Sequence, residues 1–236
     1  MNLLLLESED FTDDQQVVLI GRRLRHVLEV HRAEVGDQLR VGKVNSKIGL
    51  GTITELSEEK LVMDVDLSED PPKALPLTVL LALPRPKMLK RSLQHLTALG
   101  AKTIVLLNSY RVEKSFWQSP WLSDEKIHEQ LILGLEQSRD TLLPEVILEK
   151  RFKPFVEDQL PAMVAGKRGL VAHPVGGERC PHQVEEAVVL AIGPEGGFIP
   201  YEVEKLEEAG FGRIHLGSRI LRVETAVTAI VSKLYD

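Results

Sequence analysis

Three glycines fall within five residues in Gly193-Pro194-Glu195-Gly196-Gly197, directly after the apolar run Val188 to Ile192. A turn of this composition removes side chains that would keep a ligand off the backbone, and it permits φ > 0. Pro200 then opens a stretch of helical period with Val203 and Leu206 on its inner side, and Gly210 marks its end. Strand, glycine turn and helix in that order is how open α/β sheets bind ligands at the carboxyl ends of their strands. The spacing is neither G-x-G-x-x-G nor a loop ending in Gly-Lys-Ser/Thr, so a nucleotide phosphate is not the expected ligand. An ordinary tight turn is the alternative reading of this motif alone.

A second loop narrows the chemistry. Ile214-His215-Leu216 reads as a strand and Gly217-Ser218-Arg219 as a turn. The run from Ile220 to Ala226 leads into a last helix packing through Ala226, Ile230 and Leu234. Two glycine turns after successive strands are expected side by side in a parallel sheet, holding one flat, mostly uncharged ligand between them. Arg222 and Glu224 beside that ligand would orient it, or would form a surface ion pair worth little.

The elements that must carry these turns are those of a globular chain of 236 residues, 43% hydrophobic and 27% charged. No apolar run approaches the roughly 20 residues of a membrane span, and Leu3 to Leu6 is short with acidic residues after it, so neither a span nor a signal peptide is expected. A cytoplasmic location follows as the expectation. The single cysteine, Cys180, excludes an internal disulfide and a cysteine zinc site, and the seven histidines have no metal-like spacing, so no metal is expected. A net charge of −6 argues against coating nucleic acid indiscriminately, yet Arg22, Arg23, Arg25, His26, His31 and Arg32 form a local basic cluster. That cluster is an RNA-binding face or a solvated helix side.

Short alternating runs at Gln38 to Val44, Ile48 to Leu56 and Leu61 to Leu67 predict a small β-barrel, and the charged, proline-rich segment from Ser68 to Pro76 reads as a linker. The expected domains are therefore residues 1–70 and 71–236. In the second, strand-like runs at Leu77 to Leu83, Thr103 to Leu107, Gly169 to Ala172 and Val188 to Ile192 alternate with helical stretches, the pattern of an α/β fold with a mostly parallel sheet. Leu89, Leu93 and Leu96 share one helix face, as do Ile127, Leu131 and Leu135. Tyr110, Phe116, Trp117 and Trp121 interleave with Arg111 and Lys114, which suits base stacking or a dimer contact equally.

Taken together, Gly193-Pro194-Glu195-Gly196-Gly197-Phe198 and Leu216-Gly217-x-Arg219-Ile220-Leu221-Arg222-x-Glu224-Thr225-Ala226 resemble the ribosomal RNA uridine-N3 methyltransferase family of RsmE type. Arg25-His26-Val27-Leu28 with Val35-Gly36-Asp37, and Glu136-Gln137-Ser138 with Pro144, echo further marks of that family, so the resemblance spans nearly the whole chain. It implies a small N-terminal PUA-like β-barrel that grips RNA and a SPOUT methyltransferase domain tied in a trefoil knot. It also implies S-adenosyl-L-methionine as cofactor, with S-adenosylhomocysteine as product, and a homodimer acting on the RNA of the small ribosomal subunit. The chain departs from the family at Gln94-His95-Leu96-Thr97-Ala98-Leu99-Gly100, which lacks the usual lysine and glutamate, and at Ile199, where a serine or threonine cap is common.

Carried onto this sequence, the resemblance implies a cofactor site from Ala172, His173, Leu190, Ile192, Gly193, Pro194, Glu195, Gly196, Leu216, Gly217, Ile220, Leu221, Arg222, Thr225 and Ala226. His173 either lines that site or closes the turn before Pro174. Arg222 is the candidate for stabilising charge on the acceptor base, and Glu195 either takes the proton, orients Arg222 or shapes the turn. RNA contacts are expected from Arg22, Arg23, Arg25, His26, Arg85 and Lys87, with Lys90 and Arg91 close by. A SPOUT enzyme for another RNA or base, and a catalytically silent RNA-binding module, are the competing expectations.

Overall fold

The computed structural model describes residues 2–235, and the chain divides into two compact units. One comprises Met1–Lys73 with Ile132–Leu143, the other Ala74–Leu131 with Pro144–Asp236.

In the first unit, β1 (Leu4–Leu6), β2 (Gln16–Leu19), β3 (Gln38–Lys43), β4 (Ile48–Leu56) and β5 (Leu61–Glu69) form one sheet in the order β1-β3-β4-β5-β2. β1 runs parallel to β3 and every other pair is antiparallel. No pairing among the described residues joins β1 to β2, so the sheet is an open half-barrel with those strands as its edges. The uninterrupted leucines at the N-terminus have a packing reason. Leu4 and Leu6 enter one core with Val41, Ile53 and Met63, while Leu3 and Leu5 enter a second with Ile48, Ile132 and Leu135. A strand covered on both faces is apolar at every position instead of every second one. The linker expected to begin at Ser68 begins later, because Ser68 and Glu69 complete β5 and Glu69 pairs in register with Ile48.

In the second unit, β6 (Leu77–Ala82), β7 (Thr103–Leu107), β8 (Glu145–Glu149), β9 (Arg168–Ala172), β10 (Glu178–Arg179), β11 (Val188–Ile192) and β12 (Phe211–His215) make a fully parallel sheet in the order β10-β12-β9-β11-β6-β7-β8. Every residue of β6 and β11 is buried, as befits central strands roofed on both faces. The principal helices of this unit are Pro86–Ala98, Pro200–Glu208 and Val223–Tyr235, with residues 124–131 of the helix Asp124–Ser138. Leu89, Leu93 and Leu96 of the first are at most 1% exposed, and the chain turns at Gly100 with φ +92°, which only glycine adopts readily.

Three of the strands escape the period-two and apolar-run criteria. β8 is an edge strand whose residues are exposed or half-buried, and the pair β1 and β2 are too short to show a period. The sheet order also corrects the expected placement of the two glycine turns. β11 and β12 are not neighbours, because β9 lies between them. The crossover through the helix Pro200–Glu208 carries the chain past β9, which inserts a third strand end between the two turns.

Candidate functional site

That third strand end helps to shape the site. A cavity of about 420 Å³ opens at the carboxyl ends of β9, β11 and β12, walled by Ala172 to Pro174 after the first, Ile192 to Gly197 after the second, and Ile214 to Gly217 with Arg219 to Val223 after the third. Ala226 and Ile230 of the last helix form its remaining wall.

The glycines of the first turn are required for different reasons. A Cβ on Gly193 would stand 2.9 Å from the backbone nitrogen of Phe198, so this glycine lets the turn close on itself. A Cβ on Gly196 would stand 2.9 Å from Cδ of Arg111, whose guanidinium donates to the Gly196 carbonyl. Gly197 faces open space, but its φ of +73° is a conformation that L side chains rarely adopt. The turn is closed by the Gly197 amide donating to the Pro194 carbonyl at 2.7 Å. Gly217 in the second loop has φ +124° and open space around it, and its amide donates to Nδ1 of His215 at 3.1 Å.

The helix that follows the first turn lacks a side-chain cap at Ile199, and its third residue makes up the loss. Glu202, 2% exposed, accepts from the Ile199 amide through Oε2 at 3.0 Å and from the Tyr110 amide through Oε1 at 2.7 Å. A buried carboxylate held by two backbone N–H groups at a helix start satisfies both orphan donors and its own charge.

Of the expected cofactor residues, Ala172, His173, Ile192, Gly193, Pro194, Glu195, Gly196, Leu216, Gly217, Ile220, Leu221, Arg222 and Ala226 all line the cavity. Leu190 and Thr225 do not. Leu190 lies mid-strand, fully buried, in register with Val79 of β6 and Leu170 of β9, so its backbone belongs to the sheet. Thr225 is on the exposed side of the first turn of the last helix. His173 lines the cavity, and its Nδ1 lies 2.7 Å from the Val175 carbonyl and 3.2 Å from the Val175 amide. Sequence reasoning missed His215, whose place as the last residue of β12 was the available signal, together with Arg219, Pro174 and the apolar wall residues Val223 and Ile230.

Arg222 is exposed at the rim, and its carbonyl accepts from the Ala226 amide at 2.8 Å, which starts the last helix. Glu195 makes its ion pair with Arg85, at 3.7 Å between Oε1 and Nε, and not with Arg222. Arg85 and Lys87 are both exposed near the first turn of the helix Pro86–Ala98.

The basic cluster of the first unit is less free than its sequence suggests. Arg22 forms a two-pronged pair with Glu136, both contacts at 2.9 Å, and that carboxylate is only 3% exposed. Arg23 grips Asp10 through two 2.6 Å contacts and donates to the Leu5 carbonyl at 2.8 Å. Both guanidiniums thus serve packing, since buried carboxylates need partners. Burial first, then nearby positive charge including His31 and Arg22, lowers the pKa of the His26 imidazole, which disfavours its charged form. Arg25 remains the expected contact without these commitments. Two members of the aromatic cluster are similarly spoken for. Trp117 donates through Nε1 to Asn108 at 2.8 Å, and Lys90 sits 3.6 Å from the centre of the Trp121 ring.

Comparison with known proteins adds three findings. Residues 71–235 match the model of the RNA methyltransferase domain. The ribosomal RNA small subunit methyltransferase E of Treponema pallidum is 28% identical, over 97% of this chain and 88% of that one. A crystal structure of a ribosomal RNA small subunit methyltransferase E from Neisseria gonorrhoeae bound to S-adenosyl methionine superposes with a TM-score of 0.76 at 23% identity, over 98% of this chain and 95% of that one, a likeness that establishes the fold.

Proposed function

The chain belongs to the RNA methyltransferase domain family, and from that premise we propose that it methylates N3 of uridine in 16S ribosomal RNA with S-adenosyl-L-methionine, releasing S-adenosylhomocysteine. The observation that carries this reading is the cavity itself. Its volume of about 420 Å³ falls within the roughly 300–1,000 Å³ of small-molecule sites. Ile192, Leu216, Leu221 and Ile230 offer aliphatic contact to a flat ring, and the backbone of the two glycine turns offers donors and acceptors to its edge. No charged side chain is needed to hold an adenine. The chemistry of the residues therefore fits the cofactor.

When bound there, S-adenosylmethionine supplies an electrophilic methyl group. The chain's own residues supply aim and charge. N3 of uracil becomes nucleophilic as its proton leaves, and negative charge spreads to the two ring carbonyl oxygens. Arg222, at the rim of the cavity, stabilises that charge with a planar donor fork. Glu195, also at the rim and 3.7 Å from Arg85, takes the proton. N3 is on the pairing edge, so the uridine must be unpaired or turned out of its helix.

We assign residues 1–70, with the segment 132–143 that belongs to the same unit, to a PUA-like RNA-gripping domain and the rest of residues 71–236 to a SPOUT domain with a trefoil knot. The order in which β11 inserts between the earlier strands β9 and β6 supports a threaded chain. A homodimer and a cytoplasmic location complete the reading, with small ribosomal subunits as partner and no metal or membrane. No helix among the described residues is long and apolar enough to cross a membrane, and none of their acidic, histidine and cysteine groups clusters as a metal site.

The test is incubation with labelled S-adenosylmethionine and small subunits lacking uridine-N3 methylation, followed by digestion to nucleosides. Labelled 3-methyluridine is the expected product. A different labelled nucleoside would move the assignment to another base, and cofactor binding without any label would identify a silent RNA-binding module.

A further inference from the structure

β7 ends in a β-turn, closed by the Val112 amide donating to the Ser109 carbonyl at 3.0 Å, with Tyr110 and Arg111 as its two central residues. Central residues of such a turn project away from the chain. Here both are held by their surroundings. The Tyr110 amide is fixed on the buried Glu202 carboxylate at 2.7 Å, and the Arg111 guanidinium is fixed on the carbonyl of Gly196, which lines the cavity. A third anchor lies just before, where Asn108 accepts from Trp117 at 2.8 Å. Despite this rigid backbone Tyr110 is 80% exposed, in a molecule whose other aromatics in the same segment are at least half-buried.

A rigid aromatic with no ring partner among the described residues, beside an arginine with spare donors, is the arrangement that receives single-stranded nucleic acid. The ring stacks on any base, and fixing it in advance lowers the entropy lost on binding. Arg111 uses one N–H on Gly196, and its side chain is otherwise exposed, leaving donors for a phosphate. Arg85 and Lys87, both exposed, extend the positive charge on the same unit near Glu195.

We propose that Tyr110 and Arg111 form a docking point for the RNA strand at the acceptor, with Tyr110 stacking on a base next to the target uridine and Arg111 joining the neighbouring phosphate to the cofactor turn. The proposal rests on the methyltransferase reading above and deepens it by naming a specificity element. Tyr110 is then a positioning residue that acts on RNA affinity and leaves cofactor affinity alone.

The experiment compares the full chain with its Tyr110→Ala and Tyr110→Phe variants. Three quantities are read: the KM and kcat for undermethylated small subunits, the affinity for a single-stranded RNA oligonucleotide by fluorescence anisotropy, and the affinity for S-adenosylmethionine by calorimetry. Loss of one stack raises KM and the oligonucleotide Kd about tenfold in Tyr110→Ala, Tyr110→Phe restores both, and cofactor affinity does not move. Unchanged KM and oligonucleotide affinity in Tyr110→Ala overturn the proposal. So does equal loss in the phenylalanine variant, which would make the hydroxyl and not the stack the source of the effect. Absence of methyl transfer by the unaltered chain would sink the methyltransferase reading instead, and the oligonucleotide comparison still decides the fate of Tyr110.

Discussion

Arg222 and Glu195 meet the same cavity from different loops, and their separate engagements predict separable effects. Arg222 makes its helix-starting contact through its backbone carbonyl, so truncating the side chain leaves that contact intact. Arg222→Ala is expected to lower kcat about 100-fold, the usual cost of losing a donor to a developing oxyanion, while calorimetry shows S-adenosylmethionine affinity within a few-fold of the original. Collapse of cofactor binding would make Arg222 a cofactor residue. The arginines of the N-terminal cluster separate in the same way. Arg22→Glu places like charge beside the nearly buried Glu136, and urea denaturation is expected to show a loss of about 1–3 kcal/mol. Arg25→Glu leaves stability unchanged, weakens RNA binding and lowers its salt dependence by about one counterion. If the two variants behave alike, the division between packing and binding arginines is wrong.

At the scale of elements, the helix Pro200–Glu208 is started by its own third residue, and the same carboxylate holds the turn after β7. Glu202→Ala orphans two backbone amides and is expected to cost about 1–3 kcal/mol in chemical denaturation, with Glu202→Gln, which keeps one acceptor oxygen, losing less. The last helix ends in a tether of another kind. Tyr235 donates its hydroxyl to the Pro76 carbonyl at 3.1 Å, and burial pushes its pKa up from 10 to about 12. The neutral phenol is thus favoured in the folded chain, so its stabilising contribution is present below pH 10 and is lost as pH rises through 12. Urea midpoints measured between pH 9 and pH 12 should fall over that interval, and Tyr235→Phe should reduce the fall. An unaltered fall in the variant would assign the alkaline transition to other groups.

For the molecule as a whole, the net charge of −6 means that RNA affinity depends on where the positive charge is left free. In the first unit much of it is committed to Asp10 and Glu136. In the second, Arg85, Lys87 and Arg111 are exposed on the loops and helix start that follow β6 and β7. The mid-chain Glu136 is more than a sequence mark. Its carbonyl accepts the Asn2 and Leu3 amides, each at 3.1 Å, so residues 132–143 belong structurally with the N-terminal sheet. A contiguous boundary drawn near residue 70 misses this, because contacts across more than a hundred positions leave no local trace in composition.

Most of the loops that wall the cavity are legible along the chain. Its two glycine turns, their strands and the apolar stripes of the helices follow from local periodicity and from the few residues that tolerate φ > 0. Tertiary structure alone decided that β9 stands between the two turns and closes the cavity with His173, that Gly196 is a glycine to admit Arg111, and that Glu202 replaces the missing cap at Ile199. Each of these depends on which strand lies beside which, a choice made by burial between distant segments, and strand order is invisible to any window along the chain.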